Sequence, residues 1–315
     1  MNHGKHDGLE RYEEHEVKKT FVTFVVFVCF VVSASLAAQT FRARIDTVQV
    51  TVTVVDADGR LVTGLTKDDF EILENDAPQT ITQFSDERVP VSLGVLLDAS
   101  DSMRGQPIVD ARGAVDRFVG GLLESGDEVF MAAFNHKPHL VASWTQPPLA
   151  LRGRLDAFRP SGGTAIYDAL VASAPMFGRR LHTRAALVVV SDGADTASDF
   201  TLRQAREILR RTDPFVYAIA IDAPGALAST RVNPAALREI TGQSGGYTEV
   251  VRAVEDLGPA TERIANELNK QYMLGYVSSQ PPDDGWRAIR GKMKDRNYFT
   301  RARRGYYAVR RYPWR

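Results

Sequence analysis

The sequence predicts an α/β fold in which helices cover both faces of a mainly parallel central sheet. Two observations lead to this prediction. Four short segments are continuously apolar, as strands buried on both faces of a sheet are. Helical patterns separate these segments along the chain, as in proteins that alternate strands and helices. The four segments are 91–97, 128–134, 185–190 and 216–221.

Length and composition agree with a globular protein. The chain has 315 residues, of which 44% are apolar and 25% charged, so disordered and fibrous classes are excluded. This length suggests about two domains. The 39 basic and 39 acidic residues balance, which argues against a dedicated nucleic-acid-binding protein. The single cysteine, Cys29, excludes an intrachain disulfide and a cysteine zinc cluster.

The N-terminal segment 1–38 predicts export. A charge-free apolar run covers residues 21–38, follows Lys18 and Lys19, and ends in small residues. Such a run is either a signal peptide, cleaved near Ala37, or a retained membrane anchor that follows a cytoplasmic n-region. We therefore expect the rest of the chain to be periplasmic, secreted or anchored to the membrane by residues 21–38.

A small β-rich module is expected over residues 42–88. Residues 48–55 alternate between apolar and polar types, as a half-buried strand does, and residues 56–59 supply a turn. Further strands are expected at 71–73 and 79–84. A module of this length is too short to be comfortably stable alone.

The α/β domain is expected over residues 90–277. Its edge is predicted at 139–143, as a short antiparallel strand, and a last strand is predicted at 273–277. The expected helices are 108–123, 149–158, 165–177, 202–211, 234–241 and 254–272.

The C-terminal segment 278–315 is basic and again β-rich. From Gly285 onward, eleven basic residues stand against Asp295 alone. We expect alternating strands with a solvated basic face, and we also consider contact with an anionic envelope surface. Because each end of the chain carries only part of a core, segment 278–315 is expected to pair with residues 42–88.

Oxygen-bearing side chains follow two of the apolar strands and open one helix. Asp98, Ser100 and Ser102 lie directly after the first strand, Asp192 follows the third, and Thr164 precedes the helix at 165. Because parallel strands present their carboxyl ends at one edge, these side chains should meet there. Carboxylates and hydroxyls without histidine or thiol suit Mg²⁺, Mn²⁺ or Ca²⁺ rather than Zn²⁺ or Cu²⁺. The alternative is that they only cap turns.

These motifs resemble those of a known family. The DxSxS of residues 98–102, the Gly-Gly-Thr of 162–164 and the Ser-Asp-Gly of 191–193 resemble the metal-ion-dependent adhesion site (MIDAS) of the von Willebrand factor A domain. The flanking segments LTKDDFEILENDAPQTITQFSDERVPVSLGVLLDAS, YMLGYVSS and RARRGYYAV are similar to a bacterial, chiefly acidobacterial, exported family called VWFA-related.

The resemblance implies roles for individual residues. Ser100, Ser102 and Thr164 would ligate the ion directly or nearly so, while Asp98 and Asp192 would act directly or through water. One coordination position would stay open for a carboxylate from a protein or peptide partner. Asp101 departs from the pattern, because such motifs often have a small residue there; we expect it to face solvent.

We therefore expect a divalent-cation-dependent binding or adhesion module of the cell envelope, and not an enzyme. The alternative is a structural or assembly component of an envelope complex, in which the metal only stabilises the loops. The GxSxG pattern at 242–246 follows a helix and precedes a strand, the reverse of a catalytic nucleophile turn. It therefore predicts a helix end.

Overall fold

The computed structural model describes residues 47–192, 194–222 and 234–309. The predicted export segment 21–38 and the last basic residues, 310–315, lie outside these ranges. Within them, no helix is both long enough and apolar enough to cross a membrane.

The strands and helices follow the predicted alternation in the middle of the chain. In chain order, strands β1–β14 are Thr47–Val55, Phe70–Glu74, Ala77–Gln79, Ile81–Ser85, Ser92–Asp98, Glu128–Phe134, Pro138–Thr145, Ala185–Ser191, Phe215–Ile221, Thr248–Val251, Tyr272–Val277, Trp286–Met293, Phe299–Ala302 and Gly305–Tyr307. Helices α1–α5 are Gln106–Arg117, Ile166–Phe177, Leu202–Thr212, Pro234–Ser244 and Leu257–Asn269.

The central sheet has six strands in the order β10-β9-β8-β5-β6-β7. Five are parallel, and β7 pairs antiparallel with β6 at one edge. Every residue of β5, β6, β8 and β9 is buried, which explains why these segments read as continuous apolar runs.

Two apolar cores lie on the two faces of this sheet. Helices α1 and α5 pack on one face, against Leu93, Val95 and Leu97 of β5. Helices α2, α3 and α4 pack on the other face, against Leu96 of the same strand. The predicted α/β class, with helices on both faces of a mainly parallel sheet, is confirmed.

The strands of the two terminal segments form two antiparallel sheets, β13-β1-β11-β4 and β14-β12-β2-β3. The two sheets share a third apolar core. Strand β11, placed by the sequence in the α/β domain, pairs instead with β1 and β4. The physical reason is its alternation, because Tyr272, Leu274 and Tyr276 point into the same core as Val50 and Val52.

Two predicted helices differ from the structure. Within residues 149–158 the only helical segment is the end of the 3₁₀ turn Pro148–Leu151, because Gly153 adopts a left-handed φ of 73° and interrupts the helical backbone. In place of one α-helix over 108–123, helix α1 ends at Arg117 and is followed by a single π-helical turn over Phe118–Leu122.

The basic C-terminal segment is only partly solvated. Arg287 is 2% exposed and pairs with Glu74 of β2, which is 1% exposed. The same carboxylate accepts hydrogen bonds from Tyr276 at 2.7 Å, Ser278 at 2.5 Å and Tyr306 at 2.9 Å. At least one arginine that the sequence assigned to a solvated face is therefore a structural core residue.

Candidate metal centre

The first loop of the site follows β5. Its last residue, Asp98, is fully buried, and its Oδ1 accepts a hydrogen bond from the backbone N–H of Ser100 at 2.8 Å. A 3₁₀ turn follows over Asp101–Met103. Met103 is fully buried in the core beside α1, and this contact anchors the loop at the edge of the sheet.

The end of β8 joins this loop through side chains. The hydroxyl of Ser191 donates to Asp98 Oδ2 at 2.5 Å, and that of Ser102 donates to Asp192 Oδ1 at 2.8 Å. The hydroxyl oxygens of Ser100 and Ser102 lie 3.0 Å apart. The structure thus brings four of the five predicted site residues into one hydrogen-bonded cluster.

The third loop, residues 161–164, is held against the first by its backbone. Ser161 N–H donates to Ala99 O, and Asp101 N–H donates to Gly162 O, both at 2.9 Å. Gly162 has a φ of 73°, and a Cβ there would lie 2.7 Å from His136 Nδ1, so glycine suits this turn. Thr164, the fifth predicted residue, is buried beside the cluster's loops, and α2 begins two residues later.

A further loop supports Thr164, and sequence reasoning did not identify its residues. Thr196 Oγ1 accepts from Thr164 N–H at 3.0 Å, and Thr196 N–H donates to Thr164 O at 2.8 Å. Asp195 Oδ2 accepts a hydrogen bond at 3.0 Å from the backbone N–H of Tyr167, in the first turn of α2. Four of the residues 195–199 are of types that often cap helices, Asp195, Thr196, Ser198 and Asp199, but the sequence does not indicate which helix they cap.

Burial dominates the electrostatics of the cluster. It raises the pKa of Asp98 to about 6, and the negative charge of Asp192 adds to this increase. Burial also raises the pKa of Asp192. In the part of the chain that the structure describes, neither carboxylate forms an ion pair with lysine or arginine. Two neighbouring buried carboxylates without a cationic side chain are suited to a bound cation.

The donor set fits a hard divalent ion. All polar side chains of the cluster present oxygen, which Mg²⁺, Mn²⁺ and Ca²⁺ prefer. Neighbouring ligand oxygens around Mg²⁺ lie about 2.9 Å apart, as follows from its octahedral geometry. The separations of 3.0 Å between Ser100 Oγ and Ser102 Oγ and 2.8 Å between Ser102 Oγ and Asp192 Oδ1 match this value. They are also ordinary hydrogen-bond distances.

Asp101 faces solvent beside the cluster. Its side chain is 57% exposed, and its Oδ1 accepts from Arg104 Nε at 2.8 Å. The hydrogen bond from Arg104 lowers the pKa of Asp101, and the charge of Arg104 acts in the same direction.

We expect Asp101→Asn to change the dissociation constant for Mg²⁺ by less than about threefold, because the carboxylate is screened by water and paired with Arg104. Isothermal titration calorimetry measures this constant. The matched variant Asp192→Asn, which removes a buried carboxylate, should weaken binding at least about tenfold. Equal losses in the two variants would place Asp101 at the ion and contradict the prediction.

Comparisons with known proteins agree with the observed fold. Residues 93–194 match the model of the von Willebrand factor type A domain family. No curated protein matches the sequence.

Three solved structures are similar to parts of this chain. A von Willebrand factor type A protein from Catenulispora acidiphila is 12% identical over 84% of this chain and 75% of its own, with a TM-score of 0.51. Proximal thread matrix protein 1 from the mussel byssus, with a zinc-occupied MIDAS motif, is 15% identical over 62% of this chain and 49% of its own, also with a TM-score of 0.51. BatB from Bacteroides thetaiotaomicron is 20% identical over 57% of this chain and 98% of its own, with a TM-score of 0.48.

Proposed function

Because the chain contains a von Willebrand factor type A domain, we propose that it is a divalent-cation-dependent binding module of the cell envelope. In this proposal a MIDAS-type site engages a protein or peptide partner that offers a carboxylate. One observation carries the proposal. Loops at the carboxyl ends of β5 and β8 bring Asp98, Ser100, Ser102 and Asp192 into one cluster, and the loop of Thr164 is clamped against it.

Each residue has a defined part in the proposal. The hydroxyls of Ser100, Ser102 and Thr164 hold the ion, and Asp192 supplies a carboxylate directly or through water. Asp98 has both carboxylate oxygens in hydrogen bonds, to the N–H of Ser100 and the hydroxyl of Ser191, so it also fixes the orientation of the first loop. A bound divalent ion would supply the positive charge that attracts a partner's carboxylate.

The oxygen-only donor set favours Mg²⁺, Mn²⁺ or Ca²⁺ for this site. Zinc occupies the MIDAS motif of the byssus matrix protein, which shares the fold at 15% identity. Zinc therefore belongs in any comparison of ions at this site.

We assign no catalytic residue. In the described ranges, the hydroxyl of Ser100 contacts that of Ser102, and the hydroxyl of Ser102 also contacts Asp192; neither hydroxyl has a hydrogen bond to a histidine that would act as a general base. The proposal also places the protein outside the cytoplasm, on the basis of residues 21–38, either released after cleavage or anchored by them.

The test compares the unsubstituted protein with Asp98→Ala in binding solubilised envelope proteins of the source organism. Both proteins are immobilised and washed with Mg²⁺ or with a chelator. We expect a partner that is retained in Mg²⁺, released by chelator, and absent from Asp98→Ala although that variant remains folded. A partner retained under all conditions would overturn the proposal. It would favour the alternative, a structural component of an envelope complex in which the metal only stabilises the loops. Mn²⁺, Ca²⁺ and Zn²⁺ then replace Mg²⁺ to rank the ions.

A further inference from the structure

Two segments flank the candidate metal centre on opposite sides. Strand β5, which ends at the centre, lies between β8 and β6 in the central sheet. The turn after β6, residues 135–137, therefore lies on one side of the centre, and residues 194–201, which follow β8, lie on the other. We call these the β6 side and the β8 side. Any partner that binds at the ion would extend over one of them.

The turn on the β6 side is attached directly to the third loop of the centre. Asn135 O accepts a hydrogen bond from Ala165 N–H at 2.7 Å, and Asn135 Nδ2 donates to Ser161 Oγ at 3.1 Å. The ring of His136 lies beside Gly162, so close that this position has no room for a Cβ. These contacts make the turn one wall of the metal centre.

The β6 side carries two exposed cations, Lys137 in the turn and Arg159 at the start of the third loop. Arg159 belongs to this side because the ring of the preceding Phe158 lies 6.0 Å from that of His139, in the strand β7 that borders β6. In the part of the chain that the structure describes, neither cationic group forms an ion pair or a side-chain hydrogen bond. Both cations are therefore available to an anion.

The β8 side has the opposite charge. Its residues 194–201 include Asp195 and the exposed Asp199, and they contain no basic residue. The first loop, which lies between the two sides, adds no net charge because Asp101 is paired with Arg104. The rim of the centre therefore changes from positive on the β6 side to negative on the β8 side.

We propose that the partner is an acidic peptide segment with a second carboxylate, which binds Lys137 and Arg159 on the β6 side while the first carboxylate completes the coordination of the ion. This inference rests on the proposed function, because the first carboxylate needs an occupied metal centre. Charges at the rim of an interface steer and select a partner, and each exposed pair adds little to the affinity. The second carboxylate therefore orients the segment toward the β6 side and away from Asp199.

The experiment titrates the purified protein in Mg²⁺ with two end-capped peptides by isothermal titration calorimetry. The peptide Gly-Gly-Asp-Gly-Gly carries one carboxylate, and Asp-Gly-Asp-Gly-Asp carries further carboxylates on both sides of it. We expect the second peptide to bind about five- to thirtyfold more tightly. In the double variant Lys137→Gln, Arg159→Gln this ratio should fall to about threefold, the statistical advantage of three carboxylates over one.

A matched double variant separates the β6 side from a general effect of net charge. Arg179→Gln, Lys270→Gln removes two positive charges from exposed positions that follow the C-terminal ends of α2 and α5, away from the centre. It should keep the full ratio between the two peptides. Mg²⁺ alone should bind to Lys137→Gln, Arg159→Gln within about twofold of its affinity for the unsubstituted protein, because neither residue is a ligand. That measurement shows that the metal centre is intact in the variant.

The outcomes distinguish failure of this inference from failure of the proposed function. If Gly-Gly-Asp-Gly-Gly does not bind, or binds equally in Mg²⁺ and in chelator, the proposed function fails and the inference fails with it. If that peptide binds only in Mg²⁺ and Asp-Gly-Asp-Gly-Asp binds no more than about threefold more tightly, only the second carboxylate is overturned. The same conclusion follows if the larger ratio persists in Lys137→Gln, Arg159→Gln.

Discussion

In the presence of a chelator, Asp98→Asn is expected to unfold at the same temperature as the unsubstituted protein or at a higher one. In the presence of Mg²⁺, the variant is expected to unfold at a lower temperature than the unsubstituted protein. Asp98 is fully buried and has no cationic partner among the described side chains, so an uncharged amide of the same shape avoids a desolvation cost. An ion at 100 times its dissociation constant would stabilise the unsubstituted protein by about 2.7 kcal/mol, or about 5–10 °C.

Thermal unfolding followed by circular dichroism measures the unfolding temperatures of both proteins in chelator and in Mg²⁺. Asp101→Asn is the control, because its carboxylate is exposed and paired with Arg104, and it should retain the shift produced by Mg²⁺. If Mg²⁺ stabilises Asp98→Asn as much as the unsubstituted protein, Asp98 does not belong to the ion site. A substantially lower unfolding temperature for Asp98→Asn in chelator would instead show that its hydrogen bonds outweigh the desolvation cost.

The second large effect concerns the ion pair between Glu74 and Arg287. Glu74→Gln should lower the free energy of unfolding by about 3 kcal/mol, and the unfolding temperature by about 6–12 °C. The reason is that the buried guanidinium of Arg287 then keeps only the exposed carboxylate of Asp283, at 3.4 Å, as a countercharge. Asp76→Asn is the matched control on the adjoining turn. The pair of Asp76 with Arg290 is exposed, so its loss should cost at most about 1 kcal/mol. Urea denaturation of both variants measures the difference, and equal losses would contradict the prediction.

The same pair gives a pH dependence. Burial raises the pKa of Glu74, but hydrogen bonds from Ser278, Tyr276 and Tyr306 and the charge of Arg287 lower it below its ordinary value of 4.5. A carboxyl whose pKa is lower in the folded state contributes stability above 4.5 and loses it as the pH falls through the folded pKa. The stability difference between the unsubstituted protein and Glu74→Gln should therefore be full at pH 7 and shrink below about pH 4.5.

The sequence predicts the central fold well because its strongest pattern has one physical cause. A segment such as 185–190 is apolar throughout only if both faces of its strand are covered, and that in turn requires helices on both sides. The clustering of Asp98, Ser100, Ser102 and Asp192 follows from the same topology, since parallel strands end at one edge. Their role as metal ligands stays a prediction.

The remainder depends on contacts that no local pattern contains. The alternation of apolar residues in β11 predicts a strand but not the strand with which it pairs. It pairs with β1 because its apolar side chains share a core with Val50 and Val52. In the sequence, Arg287 is one of eleven basic residues in the C-terminal segment. In the structure it is buried in an ion pair with Glu74, which is distant in the chain. Thr196 accepts a hydrogen bond from the backbone N–H of Thr164. Its residue type predicts a capping role in general, but not which backbone group it binds.

The pairing of β4 with β11 determines how late in synthesis this antiparallel sheet can form. These are the strands by which the chain enters and leaves the α/β domain, and Ser85 of one lies opposite Met273 of the other. Strands β1 and β4 therefore leave the ribosome long before β11 exists, and the whole α/β domain is made in between. Such distant pairing forms slowly and leaves apolar strands exposed while they wait. The apolar side chains of β1 therefore cannot pack against Tyr272, Leu274 and Tyr276 until residues 272–277 have been synthesised.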